Sequence, residues 1–161
     1  MKIKFLISFL IIFIFFQKDE IAGKYRNNFG SEFIFNSDYT YEYNASFHFM
    51  GFWSKGKWRV KNDTIYYEAI PSYDTLRIAG KRDSLILSRN KIPQLISANS
   101  IKEIFWPKSY GEQDVHKSKL FFKDKKLYKI KSNGRLITKK ETKSDRIGGE
   151  KFDPWYRRVE E

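Results

Sequence analysis

The chain of 161 residues has no cysteine. That excludes disulfides, a lipid-anchored cysteine, a thiol nucleophile and cysteine-ligated zinc. Histidine is almost as scarce, with only His48 and His116, and their spacing pairs with nothing. A zinc site of three or four ligands cannot be drawn from them. His48 sits between Phe47 and Phe49 with opposite parity, so on a strand it faces away from both. Asp114-Val115-His116 could set a carboxylate beside an imidazole, but the irregular surroundings read as a solvated loop. No glycine-rich phosphate loop precedes a helix, and no Gly-x-Ser-x-Gly elbow is present. Aspartates and glutamates are scattered singly. The sequence thus nominates no catalytic residue, no metal ligand and no cofactor.

Long apolar runs are also absent, with one short exception. Met1-Lys2-Ile3-Lys4 is followed by Phe5 to Phe16, in which Ser8 is the only polar residue. Two lysines and a short apolar run match the start of a secretory signal. The run is too short to cross a bilayer as a helix, which needs about 20 residues, so no transmembrane span is expected. Residues 1–16 therefore read as a signal segment, and residues 17–161 as one exported domain, periplasmic or extracellular. Small residues near the run's end are few. Cleavage near Gln17, cleavage nearer Ala22-Gly23, and retention as a weak anchor all fit.

What the chain does have is positive charge and rings. The formal net charge is +12, with 31 Lys and Arg against 19 Asp and Glu. The excess is concentrated late: residues 117–143 hold eleven basic residues against Asp124 and Glu141. A field of this size favours anionic partners but carries no information about fold. Export makes nucleic acid a poor partner and anionic envelope lipid or polysaccharide a better one. Four Trp, ten Tyr and fifteen Phe are a heavy aromatic load, and such residues favour strands.

Alternation with period two runs through the middle of the chain. Phe33 and Phe35 share one face. Tyr39, Tyr41 and Tyr43 share another, and Asn36-Ser37-Asp38 between the groups is turn-forming. This predicts a hairpin of strands 31–36 and 39–49. Gly51 and Ser54-Lys55-Gly56 predict the next reversal, and Lys57 to Val60 the next strand. Asn62-Asp63 predicts a tight turn, and Thr64 to Ile70 a strand that Pro71 stops. Thr75 to Ala79 and Ser84 to Ser88 continue the meander. Residues 89–117 show no clear pattern. Lys119 to Lys123, a turn at Asp124-Lys125, Lys126 to Lys131, a turn at Asn133-Gly134 and Arg135 to Thr138 predict a three-stranded basic ribbon. Residues 139–151 read as a mobile segment, and Phe152 to Tyr156 as apolar enough to dock on the domain.

Two sets of residues are candidates for function. Tyr39, Tyr41, Tyr43, Trp58, Tyr66 and Tyr67 could line the mouth of a barrel, where an apolar ring with a polar tip suits an amphipathic ligand. Lys123, Lys125, Lys129 and Lys131 share a numerical parity in the ribbon. On one face they would make a polyanion-binding surface, or simply the wet side of a hairpin.

Three short stretches resemble the lipocalin-like domains of exported bacterial proteins. Gly23-Lys24-Tyr25 resembles the glycine–aromatic opening of the first strand. Phe33 to Tyr43 resembles the hairpin after it. Gly56-Lys57-Trp58-Arg59-Val60-Lys61-Asn62-Asp63-Thr64-Ile65 resembles the later Gly-x-Trp strand and its polar turn. The likeness spans residues 21–70 and implies a barrel or half-barrel holding a small apolar ligand. The C-terminal part does not continue it, and the disulfide found in many lipocalins is impossible here.

Together these features predict an all-β fold, an antiparallel meander closing into a barrel or half-barrel with a C-terminal β-ribbon. They predict a non-enzymatic exported binding or interaction protein, with a small hydrophobic molecule or an anionic envelope component as partner. The competing readings are a basic surface module and an enzyme whose site is assembled from scattered residues.

Overall fold

The computed structural model describes residues 20–47, 50–98, 112–115, 117–142 and 151–160. The apolar run at 1–16, both histidines, about half of the patternless stretch and residues 143–150 lie outside them. Among the described residues fourteen strands follow in chain order: β1 Gly23–Arg26, β2 Glu32–Phe35, β3 Thr40–Phe47, β4 Met50–Lys61, β5 Thr64–Ala69, β6 Tyr73–Ile78 and β7 Ser84–Leu87. After these come β8 Leu95–Ala98, β9 Glu112–Gln113, β10 Lys117–Lys123, β11 Lys126–Lys129, β12 Glu141–Thr142, β13 Lys151–Phe152 and β14 Tyr156–Arg158.

Eight of them close a barrel. Around the wall the order is β1-β2-β3-β4-β5-β10-β11-β14 and back to β1, with every neighbour antiparallel. Closure leaves the wall without a free edge. Side chains of alternate residues point inward, and rings fill most of the interior. Tyr25, Phe35, Tyr41 and Trp58 are all buried there with Ile65 and Leu127. Phe35 meets the Trp58 ring edge-on at 5.4 Å and Phe33 lies stacked on Phe35 at 5.5 Å. Such pairs add attraction beyond the burial of area.

The two ends of the barrel differ because their connections differ. At one end the turns are tight. Asn62 and Asp63 have φ of 49° and 57°, and Asp124 and Lys125 have φ of 51° and 55°. Two successive left-handed residues are the hairpin turn whose twist matches the strands. The hairpin joining β2 to β3 is tied by Asn36 N–H to the Thr40 carbonyl at 2.9 Å, with Tyr39 left-handed at φ 66°. Glycine usually fills that place; here the Tyr39 ring packs on Trp58 at 5.4 Å. Ile21, with no exposed surface, stoppers this end. Arg158 holds the stopper in place by donating to the Glu20 and Ala22 carbonyls at 2.8 and 2.6 Å. At the opposite end the chain runs through residues 27–31 and through long excursions between β5 and β10 and between β11 and β14.

Three sequence expectations need correction. The reversal placed at Gly51 and Ser54 to Gly56 does not occur there: β4 runs unbroken from Met50 to Lys61, paired to β3 in its first part and to β5 in its second. Gly56 sits where a side chain would strike the backbone of β5, so it marks a close approach and not a turn. The strands near 75–79 and 84–88 exist but do not enter the wall. They form a separate sheet ordered β7-β6-β8, in which β6 and β8 run parallel. This sheet is tied to the barrel from outside: Trp53 donates from Nε1 to the Arg89 carbonyl at 3.0 Å, and Gln113 bonds Ser72 and Ser88 backbone groups. The hairpin of the basic ribbon forms as expected, but its third strand does not. Its first two strands, β10 and β11, are wall strands, and its third is reduced to one bridge between Ile130 and Leu136. Near the C-terminus β12 pairs with β13 in a two-stranded sheet.

The C-terminal Phe152 to Tyr156 stretch does dock, and more deeply than apolar character alone suggests. Tyr156 opens β14, which fills the gap between β1 and β11. Asp153 is buried beside Pro154 and pairs with Arg157 and, at 3.9 Å, Lys140. The Trp155 ring lies outside against Tyr128 at 5.7 Å.

Candidate functional site

The open end of the barrel contains a cavity of about 580 Å³ that faces solvent on one side. Its volume is in the range of small-molecule sites. Its deeper wall is aromatic. Phe33 meets Tyr43 at 4.5 Å, Tyr67 at 5.2 Å and Tyr156 at 5.1 Å between ring centres. Nearer the rim stand Asn27, Ser31, Ser118 and Lys129.

Strand parity explains the composition. On three wall strands a large apolar side chain toward the closed end gives way, at the next inward position, to a polar or hydroxylated one. On β10, Phe122 and Leu120 lead to Ser118; on β11, Leu127 leads to Lys129; on β5, Ile65 leads to Tyr67. Ser118 on β10 and Ser31 before β2 are small, and beside them lies space that the rings do not fill. The loop of residues 27–31 is fixed at the rim by Asn27, whose Oδ1 accepts from the N–H groups of Phe29 and Ser31, each at 2.9 Å. Phe29 in turn packs on Phe152 at 5.4 Å.

The hydroxyls in this region are linked. Tyr156 bonds Tyr43 and Ser31, Tyr67 bonds Ser118, and Tyr41 Oη lies 3.2 Å from Ser54 Oγ. Burial pushes the Tyr67 phenol up to about 12, with the Ser118 bond opposing it. Burial raises Tyr156 further, helped by its neighbours Tyr43 and Tyr67. At the closed end burial also pushes Tyr25 up to about 12, against the pull of Arg158. These phenols stay neutral at physiological pH, so near the cavity they act as hydrogen-bond donors and not as bases.

A consequence for stability follows. An unfolded tyrosine ionises near pH 10. Folded pKa values raised above that mean that the native state holds protons the unfolded state has released. The stability contributed by these three phenols is complete below pH 10; that of Tyr25 and Tyr67 is lost as pH rises through 12, and that of Tyr156 persists to higher pH. In an absorbance titration of phenolate, Tyr25, Tyr67 and Tyr156 should ionise only as the protein unfolds. Reversible ionisation of every tyrosine before any loss of near-ultraviolet circular dichroism would contradict their burial.

The structure separates the six aromatic candidates. Tyr43 and Tyr67 line the cavity. Tyr41 and Trp58 are 1% and 3% exposed and belong to the packed core. Tyr39 covers Trp58 at the closed end. Tyr66 faces outward, where the Arg59 guanidinium lies 4.7 Å from its ring centre. Neighbours on a strand point to opposite faces, so Tyr66 and Tyr67 cannot both enter the barrel.

The lysine set is separated as well. Lys123 and Lys125 are exposed at the tight-turn end, Lys131 is exposed beyond β11, and Lys129 is inward. The numerical parity misleads because a two-residue turn pairs Lys123 with Lys126. The outward positions are therefore odd on β10 and even on β11. Counting from that turn would have found Lys129. Tyr156, Phe33 and the serines carried no such signal, since their place depends on which strands become neighbours. No family model, curated protein or solved structure matches this chain.

Proposed function

We propose that this chain is a non-enzymatic binding protein that holds a small, largely apolar molecule in the open end of its barrel. The cavity of about 580 Å³ carries the reading. A barrel whose purpose was only stability would continue its aromatic filling to both ends. Here the filling stops at Phe33, Tyr43, Tyr67 and Tyr156, and hydroxyls and an amide ring the space above. This arrangement suits the lipocalin-like character of residues 21–70. The apolar run at 5–16 supports export, which would be read from the mass of the N-terminus after passage through a translocation assay. The alternative, docking of the basic ribbon on anionic lipid or polysaccharide, has less support, because its four lysines do not share a face.

Phenylnaphthylamine, an uncharged ring probe that fluoresces when desolvated, tests the reading. The protein should bind it with one-to-one stoichiometry. Ser31→Phe, which places a ring in the cavity, should abolish the signal while the circular dichroism spectrum stays unchanged. No binding by the wild type, or undiminished binding by a folded Ser31→Phe variant, would remove the cavity as a ligand site.

A further inference from the structure

Lys129 is the unusual member of the cavity wall. Inward positions of a barrel are normally apolar, and Lys129 follows Leu127, which has no exposed surface, on the same side of β11. Its cross-strand partner is the buried Leu120. The wall therefore brings Lys129 to a cavity that Phe33, Tyr43 and Tyr67 also line. Among the described residues no ion pair holds that ammonium. Elsewhere the cations that enter packed regions are engaged: Arg158 on two carbonyls, Arg157 on Asp153. The cavity lining as a whole includes Lys119 and Lys129 against Asp114, and Asp114 is already engaged in other interactions. The balance at the site is positive, and the nearby phenols of Tyr67 and Tyr156 are neutral donors.

We propose that the ligand is an amphipathic organic anion, with its ring or hydrocarbon part against Phe33, Tyr43 and Tyr67 and its carboxylate on Lys129. The inference rests on the binding reading above and narrows it to one chemical class. A cation at the rim of an apolar cavity is partly desolvated, so its attraction for a carboxylate is stronger than that of a surface lysine and weaker than that of a buried pair. A neutral ligand of the same shape would leave the ammonium beside apolar surface with no partner, which adds to the discrimination.

Calorimetric titration of the full chain with decanoic acid and with decanol at pH 7 distinguishes the two levels of the proposal. The acid should bind about tenfold more tightly than the alcohol, with the gap shrinking as salt is raised. Lys129→Met should bring the acid down to the affinity of the alcohol and leave the alcohol unchanged. Lys129→Arg should keep the preference, which shows that charge and not packing is responsible. Equal binding of acid and alcohol by the wild type, or a preference that survives in Lys129→Met, would overturn the anion assignment and leave the cavity as a site for neutral molecules. Binding of neither compound, together with failure of the uncharged ring probe, would overturn both.

Discussion

Trp58→Ala should lower the unfolding free energy by roughly 3–5 kcal/mol, the range for deleting a large buried aromatic side chain. The indole is 3% exposed and lies between Phe35 and Tyr39, at 5.4 Å from each. Its Nε1–H donates to the Asn36 carbonyl at 3.0 Å, so it also ties β4 to the hairpin between β2 and β3. Removing the ring opens a void at the stoppered end, where the turns are tight and the wall has little freedom to collapse. It also leaves Tyr39 without the contact that accompanies its left-handed backbone. Trp58→Phe keeps much of the volume and loses the hydrogen bond, so its cost should be about 1–2 kcal/mol. Denaturant melts giving less than about 1 kcal/mol for the alanine variant would place Trp58 outside the core.

Gly56→Ala should be nearly as damaging, though it adds only a methyl group. A Cβ built at Gly56 would lie 2.0 Å from the Glu68 carbonyl oxygen and 2.9 Å from the Ala69 Cα. Both are backbone atoms of β5, and they cannot rotate aside as a side chain could. The β4–β5 ladder, in which Gly56 pairs with Ala69, would have to part locally. We expect a cost of about 3 kcal/mol, at the upper end of the usual range for overpacking. The internal reference is Gly80→Ala, where nothing lies within 4 Å and only the positive φ of 74° opposes the change. A midpoint for Gly56→Ala equal to that of Gly80→Ala would mean that β4 and β5 do not approach as described.

Much of the wall was legible because its signals are local. Phe33 and Phe35, then Tyr41 and Tyr43, alternate as half-buried strands must, and Asn62-Asp63 and Asp124-Lys125 are turn pairs by their own chemistry. The errors arise where a residue's meaning depends on a distant partner. Gly56 reads as a turn until the carbonyl of Glu68 is known to press on it. Leu76 and Leu85 alternate as well as any wall strand, and only the pairing of β10 with β5 shows that β6 and β7 lie outside the barrel. The candidate site suffered most. It joins Ser31 from the 27–31 loop with Tyr67, Lys129 and Tyr156 from three different strands, and no spacing within the chain links them. Tyr43 and Tyr67 were found because an aromatic pattern pointed to them, whereas Lys129 was assigned to the wrong face by counting across a turn.

Order of synthesis gives the last strand a particular weight. β1 is made long before β14, its partner on one side. Until Tyr156 to Arg158 have been made, the growing polypeptide can form only an incomplete wall, with β1 exposed along one edge and β11 along the other. The Ile21 stopper is in the same position, because the guanidinium that grips the Ala22 carbonyl lies 136 residues further on. Joining the two ends across so long a loop is slow. The wall is therefore closed only once β14 has been made, and until then the chain remains open.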